Sequence, residues 1–102
     1  MSFTADTIQK VWEKATTVAN NDPAVWRKDE CGAWIGTSEY GDRDSQYGWE
    51  IDHITPVADG GGDNISNLRP LQWRNNAEKQ SGRLSCPVTA SGTQNVSRAA
   101  TK

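Results

Sequence analysis

The sequence predicts a small α+β fold. An N-terminal helix and short flanking strands surround a strand–loop–strand–helix unit over about residues 49–80. Three observations predict it. Apolar residues recur at helical spacing near the N-terminus, at Ile8, Val11, Trp12, Ala15 and Val18. Later apolar runs are strand-length and bounded by Gly, Pro, Asn and Asp. The length, 102 residues, fits one domain over residues 1–102.

Thr4 caps the first helix, and Asp6 lies in its first turn, where the helix dipole favours an anion. Asn20-Asn21-Asp22-Pro23 ends it, because Pro23 biases Asp22 away from helical angles. Residues 24–30 read as a linker or short turn carrying Trp26, and residues 31–35 as a short strand. Residues 36–48 are polar and turn-rich, anchored by Tyr40 and Tyr47. Residues 49–54 alternate, with Trp49 and Ile51 on one face and Glu50 and Asp52 on the other. A loop over 55–64 holds Pro56 and Gly60, Gly61 and Gly62. Residues 68–71 form a second strand, and Pro70 marks it as an edge. Residues 73–80 form a helix of about two turns, stopped by Ser81 and Gly82. Residues 84–88 read as a last strand, and about 89–102 as a polar tail that frays.

Five tryptophans supply much of the apolar volume that so small a domain needs. The net charge of −2 does not by itself suggest a nucleic-acid binder, but its distribution does. Residues 1–64 carry 5 Lys/Arg against 12 Asp/Glu, whereas residues 65–102 carry 6 against 1. Arg69, Arg74, Lys79, Arg83, Arg98 and Lys102 are thus candidates for a phosphate-facing surface. Cys31 and Cys86 lack C-x-x-C spacing, so no zinc knuckle is readable, while a disulfide is possible by count. No basic start with an apolar run opens the chain, and no segment is long and apolar enough to span a membrane. The expectation is a cytoplasmic protein with two reduced thiols and no membrane partner.

The chemistry concentrates between Glu50 and Lys79. His53 is the only histidine, and its ordinary pKa of about 6.5 suits a base near neutral pH. Asp52 precedes it, the glycine triplet follows, and then come Asn67-Leu68 and Asn76-Ala77-Glu78-Lys79. A carboxylate, an imidazole and an amide set this way hold one hard cation beside one base.

These elements, in this order, resemble the ββα-metal motif of HNH endonucleases, in an Asp-His…Asn…Asn variant. The resemblance covers about 30 residues, with the Trp26 to Ile35 stretch similar to small free-standing members. It implies that His53 deprotonates the attacking water and that Asp52 and Asn76 ligate the metal. Asn67 would bond backbone across the loop and position His53. Asn75 adjoins Asn76, so the ligand stays open between them, with the Asn-x-x-Lys register favouring Asn76. Oxygen ligands imply one Mg²⁺ or Mn²⁺ ion. Arg69, Arg74 and Lys79 would contact phosphate. The implied function is nicking of double-stranded DNA with weak sequence preference, by a monomer or weak homodimer. The rival readings are a non-catalytic DNA-binding module and an RNase or toxin-type nuclease.

Overall fold

The computed structural model describes residues 3–79 and 83–98. Helix α1 (Ala5–Trp12) starts at Thr4, whose side chain accepts a hydrogen bond from the Thr7 amide. It ends at Glu13, well before the Asn20 boundary that the sequence predicts. Thr16, Thr17 and Val18 are β-branched and lose rotamer freedom in a helix. The Arg27 guanidinium binds the free carbonyls of Glu13 and Ala15, both at 3.1 Å. Thr16 then pairs its backbone with Lys28 instead.

That pairing belongs to a strand where a linker was expected. Strands β1 (Trp26–Lys28) and β2 (Trp34–Gly36) form an antiparallel hairpin. The Asp29 carboxylate closes it by accepting the Cys31 and Ala33 amides, each at 2.9 Å. This turn delays β2 to Trp34, three residues later than Cys31.

Strands β3 (Trp49–His53) and β4 (Leu68–Gln72) pair antiparallel, from Trp49 opposite Gln72 to His53 opposite Leu68. This sheet has two strands, so Pro70, which has no N–H, sits on a true edge. Helix α2 (Trp73–Ala77) follows without a linker, and the Gln72 side chain accepts the Arg74 amide at 2.8 Å. It is shorter than the predicted 73–80. Gln80 and the expected stop at Ser81 and Gly82 lie outside the described residues.

The C-terminal segment corrects two expectations. Residues 84–87 are not a strand, and strands β5 (Val88–Ser91) and β6 (Gln94–Ser97) form a hairpin where a fraying tail was expected. Asn95 docks it: its Oδ1 accepts the Trp34 amide at 2.7 Å and its Nδ2 donates to the Trp34 carbonyl at 2.9 Å. Cys31 and Cys86 form a disulfide, which overturns the expectation of two reduced thiols. The Asp29 turn and the docked hairpin bring the two cysteines together.

The core unites Val11, Trp12 and Ala15 with Ile35, Trp49, Ile51 and Leu68. The Trp12 and Trp49 rings pack 5.4 Å apart and anchor α1 against the β3 face opposite Glu50 and Asp52. No helix among the described residues is long and apolar enough to cross a membrane.

Candidate active site

The β3–β4 pair and α2 place the polar side chains singled out in the sequence. Successive strand residues face opposite ways, so Asp52 and His53 serve one centre only if the strand ends between them and the loop. Both lie within β3, which ends at His53, and their side chains have separate partners. The His53 Nε2 lies 2.6 Å from Asp63 Oδ1. A carboxylate is a hydrogen-bond acceptor, which assigns the proton to Nε2 and leaves Nδ1 with the lone pair.

Asn67 closes the loop between them. Its Oδ1 accepts the Thr55 amide at 2.8 Å, and its Nδ2 donates to the carbonyls of Thr55 at 3.1 Å and Gly62 at 2.8 Å. Its backbone carbonyl accepts the Ile54 amide at 2.8 Å, directly after His53. Two of the glycines have distinct duties here. Gly60 has φ of 92°, a left-handed angle, and a Cβ on Gly61 would lie 1.8 Å from the Thr55 carbonyl oxygen. Together they let the loop fold back so that Asp63 reaches His53.

Asp52 is buried, with 3% exposure, between two cations. Arg69 Nε lies 2.8 Å from its Oδ2, and Lys79 Nζ lies 2.9 Å from its Oδ1. Arg69 also reaches Glu30 at 3.3 Å and is only 8% exposed. The expectation of Arg69 as a phosphate contact is therefore corrected: it is an interior counter-ion for Asp52, because its register position opposite Asp52 turns it inward. Lys79 likewise pairs with Asp52. Arg74 lies half-exposed on α2, 3.3 Å from Glu78.

The two adjacent asparagines have opposite surroundings. Asn75 is fully buried. Its Nδ2 donates to Asp29 Oδ2 and to the Val88 carbonyl, both at 3.0 Å, and its Oδ1 accepts the Val88 amide at 2.9 Å. Asp29 also accepts the Gln72 amide at 2.9 Å. Burial pushes the Asp29 carboxyl above the ordinary carboxylate range, against the opposing hydrogen bond from Asn75 and those from three backbone amides. Asn75 thus fastens α2 to the rest of the molecule.

Asn76 instead donates Nδ2 to Glu50 Oε1 at 2.8 Å. The Glu50 carboxylate accepts only, which fixes the amide's orientation and leaves Oδ1 without a partner among the described residues. Arg43 grips Glu50 with two bonds, at 2.7 and 2.9 Å. That guanidinium holds the Glu50 carboxyl below its usual range, partial burial works against it, and Asn76 adds to the lowering.

Three groups escaped the sequence reading as site residues: Glu50, Asp63 and Asp29. Glu50 had a signal, since it alternates with Asp52 on one strand face. Asp63 and Asp29 had none, because their partners depend on how distant loops fold.

The HNH endonuclease family model matches residues 36–82. No curated protein and no solved structure gives a match. The matched span holds β3, the loop, β4 and α2, with Glu50, Asp52, His53, Asp63, Asn67, Asn76 and Lys79 among its side chains, so residues 36–82 of this chain are an HNH endonuclease domain.

Proposed function

We propose that the chain is a divalent-metal-dependent endodeoxyribonuclease whose β3–β4–α2 unit is a ββα-metal site. It hydrolyses phosphodiester bonds of double-stranded DNA, one strand per event, with weak sequence preference, leaving 5′-phosphate and 3′-hydroxyl ends. The observation that carries this reading is the pairing of an oriented base with an oxygen donor. His53 is held by Asp63, and Asn76 is turned by Glu50 so that its carbonyl oxygen is unpartnered.

The donors fit a hard divalent ion. Asp52 and Asn76 would hold it through oxygen, the donor such an ion takes, and among the described residues no three His, Cys, Asp or Glu stand together as a metal site. The Lys79 ammonium on Asp52 Oδ1 marks that oxygen as one that already faces a positive charge. When bound, one Mg²⁺ or Mn²⁺ ion would neutralise charge on the phosphate and on the departing oxygen.

The chain's own residues do the rest. His53 Nδ1 takes the proton from the attacking water, a contribution of about 10²- to 10⁴-fold in rate. Asp63 keeps the ring in that tautomer and stabilises the imidazolium that results. Asn67 fixes the loop, and so the distance from the ring to Asp63. Arg74 and the exposed Arg83 are among the cations that meet the DNA backbone, which favours contacts to phosphate over base readout.

Matched 5′-labelled duplex DNA and RNA substrates test the reading, with Mg²⁺, Mn²⁺ or EDTA and mapping of the product ends. Metal-dependent cuts in DNA ending in 5′-phosphate support it. DNA binding with no cut under either metal would leave a binding module, and cutting confined to RNA would overturn the substrate.

A further inference from the structure

A cavity of about 200 Å³ lies outside the site just described, lined by Asn21, Trp26, Trp34, Tyr47 and Thr93. Only Tyr47 falls within residues 36–82; the other walls come from the N-terminal segment, the first hairpin and the turn of the last. Its volume is below that of sites for drug-sized ligands and suits a single ring system.

The walls are aromatic and held in place. Trp26 stands edge-on to Trp34, at 83°, and to Tyr47, at 75°, with centroids 6.4 and 4.9 Å away. Trp34 Nε1 donates to the Gly92 carbonyl and the Tyr47 hydroxyl to the Thr93 carbonyl, both at 2.7 Å, so these rings do not swing. Asn21 donates to the Ala19 carbonyl at 3.1 Å, which leaves its Oδ1 unpartnered among the described residues. Trp26 Nε1 and the Thr93 hydroxyl also have no partner among those residues. The Lys28 ammonium lies 4.8 Å from the Trp34 ring centroid. Aromatic walls with a donor and an acceptor that lack partners among the described residues match one class of ligand: a planar heteroaromatic ring.

We propose that this cavity binds one unpaired base of the nucleic-acid strand on which the nuclease acts. The proposal rests on the nuclease reading above. Base–aromatic stacking tolerates any base, in keeping with weak sequence preference. Tyr47 stands just before β3, which runs from Trp49 about 13 Å to His53 at its far end, so the cavity would hold a base away from the scissile bond. A duplex keeps its bases stacked inside, so the cavity would favour substrates with a single-stranded tail or gap.

The test titrates the His53→Ala protein with a fully paired duplex and with the same duplex carrying a single-stranded tail, following tryptophan fluorescence. The tailed duplex is expected to bind about tenfold tighter and to quench the fluorescence. Trp26→Leu should remove most of that difference. Asn21→Ala, at the cavity rim, should reduce it severalfold without touching the core. A free mononucleotide that quenches as fully as the tail would overturn the assignment to a strand. Equal affinity for both duplexes, or a preference that survives both substitutions, would overturn the proposal. If the unmutated protein still cuts duplex DNA in that case, the nuclease reading stands alone; if it neither binds nor cuts, both fall.

Discussion

Asn76 and His53 each owe their orientation to a carboxylate that is itself held. Glu50 accepts from Asn76 and is clamped by Arg43, and Asp63 meets His53 across the loop. Glu50→Gln would present an amide able to donate or accept, so Asn76 would lose its fixed direction. The Mg²⁺ concentration for half-maximal nicking should rise severalfold, with activity largely recovered at saturating metal. An unchanged metal titration would remove Glu50 from this role. The same residue has a signature in acid. Its carboxyl is lowered below the ordinary value of 4.5, by the Arg43 hydrogen bond first. Its stabilising contribution is therefore present above 4.5 and lost as pH falls through the lower folded value. Acid unfolding followed by circular dichroism should show a shallower loss in Glu50→Gln. Asp63→Asn should slow nicking about tenfold at saturating metal; the effect is modest because Asp63 is half exposed and screened by water. Retention of full rate would show that Asp63 does not support the base. At this scale the sequence made His53 legible, as the only histidine, and Asp52, Asn67 and Asn76 by order and spacing. The inward turn of Arg69 was not legible, since it follows from the register with Asp52 rather than from its type.

Helix α2 is only five residues long, too short to be stable by its own hydrogen bonds. It is held by the Gln72 cap and by Asn75, which joins Asp29 to both backbone groups of Val88. Asn75→Ala would strand the Val88 N–H and C=O and deprive the buried Asp29 of a donor. Each orphaned buried group costs about 1–3 kcal/mol, so thermal or urea unfolding should register a loss of about 3 kcal/mol or more. A loss under 1 kcal/mol would mean that water replaces the amide. The strands β3 and β4 were legible because alternation, Pro70 and the flanking turns agree with one another. Strands β1 and β2 have three residues each, too few for a period to show. The β5–β6 hairpin is polar and owes its place to Asn95 gripping Trp34, a contact across 61 residues that no local pattern carries.

The whole molecule is closed by the Cys31–Cys86 disulfide, which spans 55 residues and ties the Asp29 turn to the segment entering β5. A cross-link of this kind stabilises by about 2–4 kcal/mol, and in a domain this size each kcal/mol moves Tm by about 4–8 °C. Reduction by a dithiol should therefore lower Tm by roughly 10 °C or more, and Cys31→Ser should match the reduced protein; an equal Tm in both redox states would contradict the bond. Count and spacing left this pairing open, because what decides it is how Asp29 folds its turn. The proposed function has this HNH domain cut DNA with His53 as base beside an ion on Asp52 and Asn76. Supercoiled plasmid incubated with the protein in Mg²⁺, in EDTA, and with His53→Ala in Mg²⁺ tests it most directly. Relaxed circles in the first case alone are the expected result, with His53→Ala unfolding at the same temperature as the unmutated protein. Undiminished relaxation by His53→Ala, or in EDTA, would contradict the account.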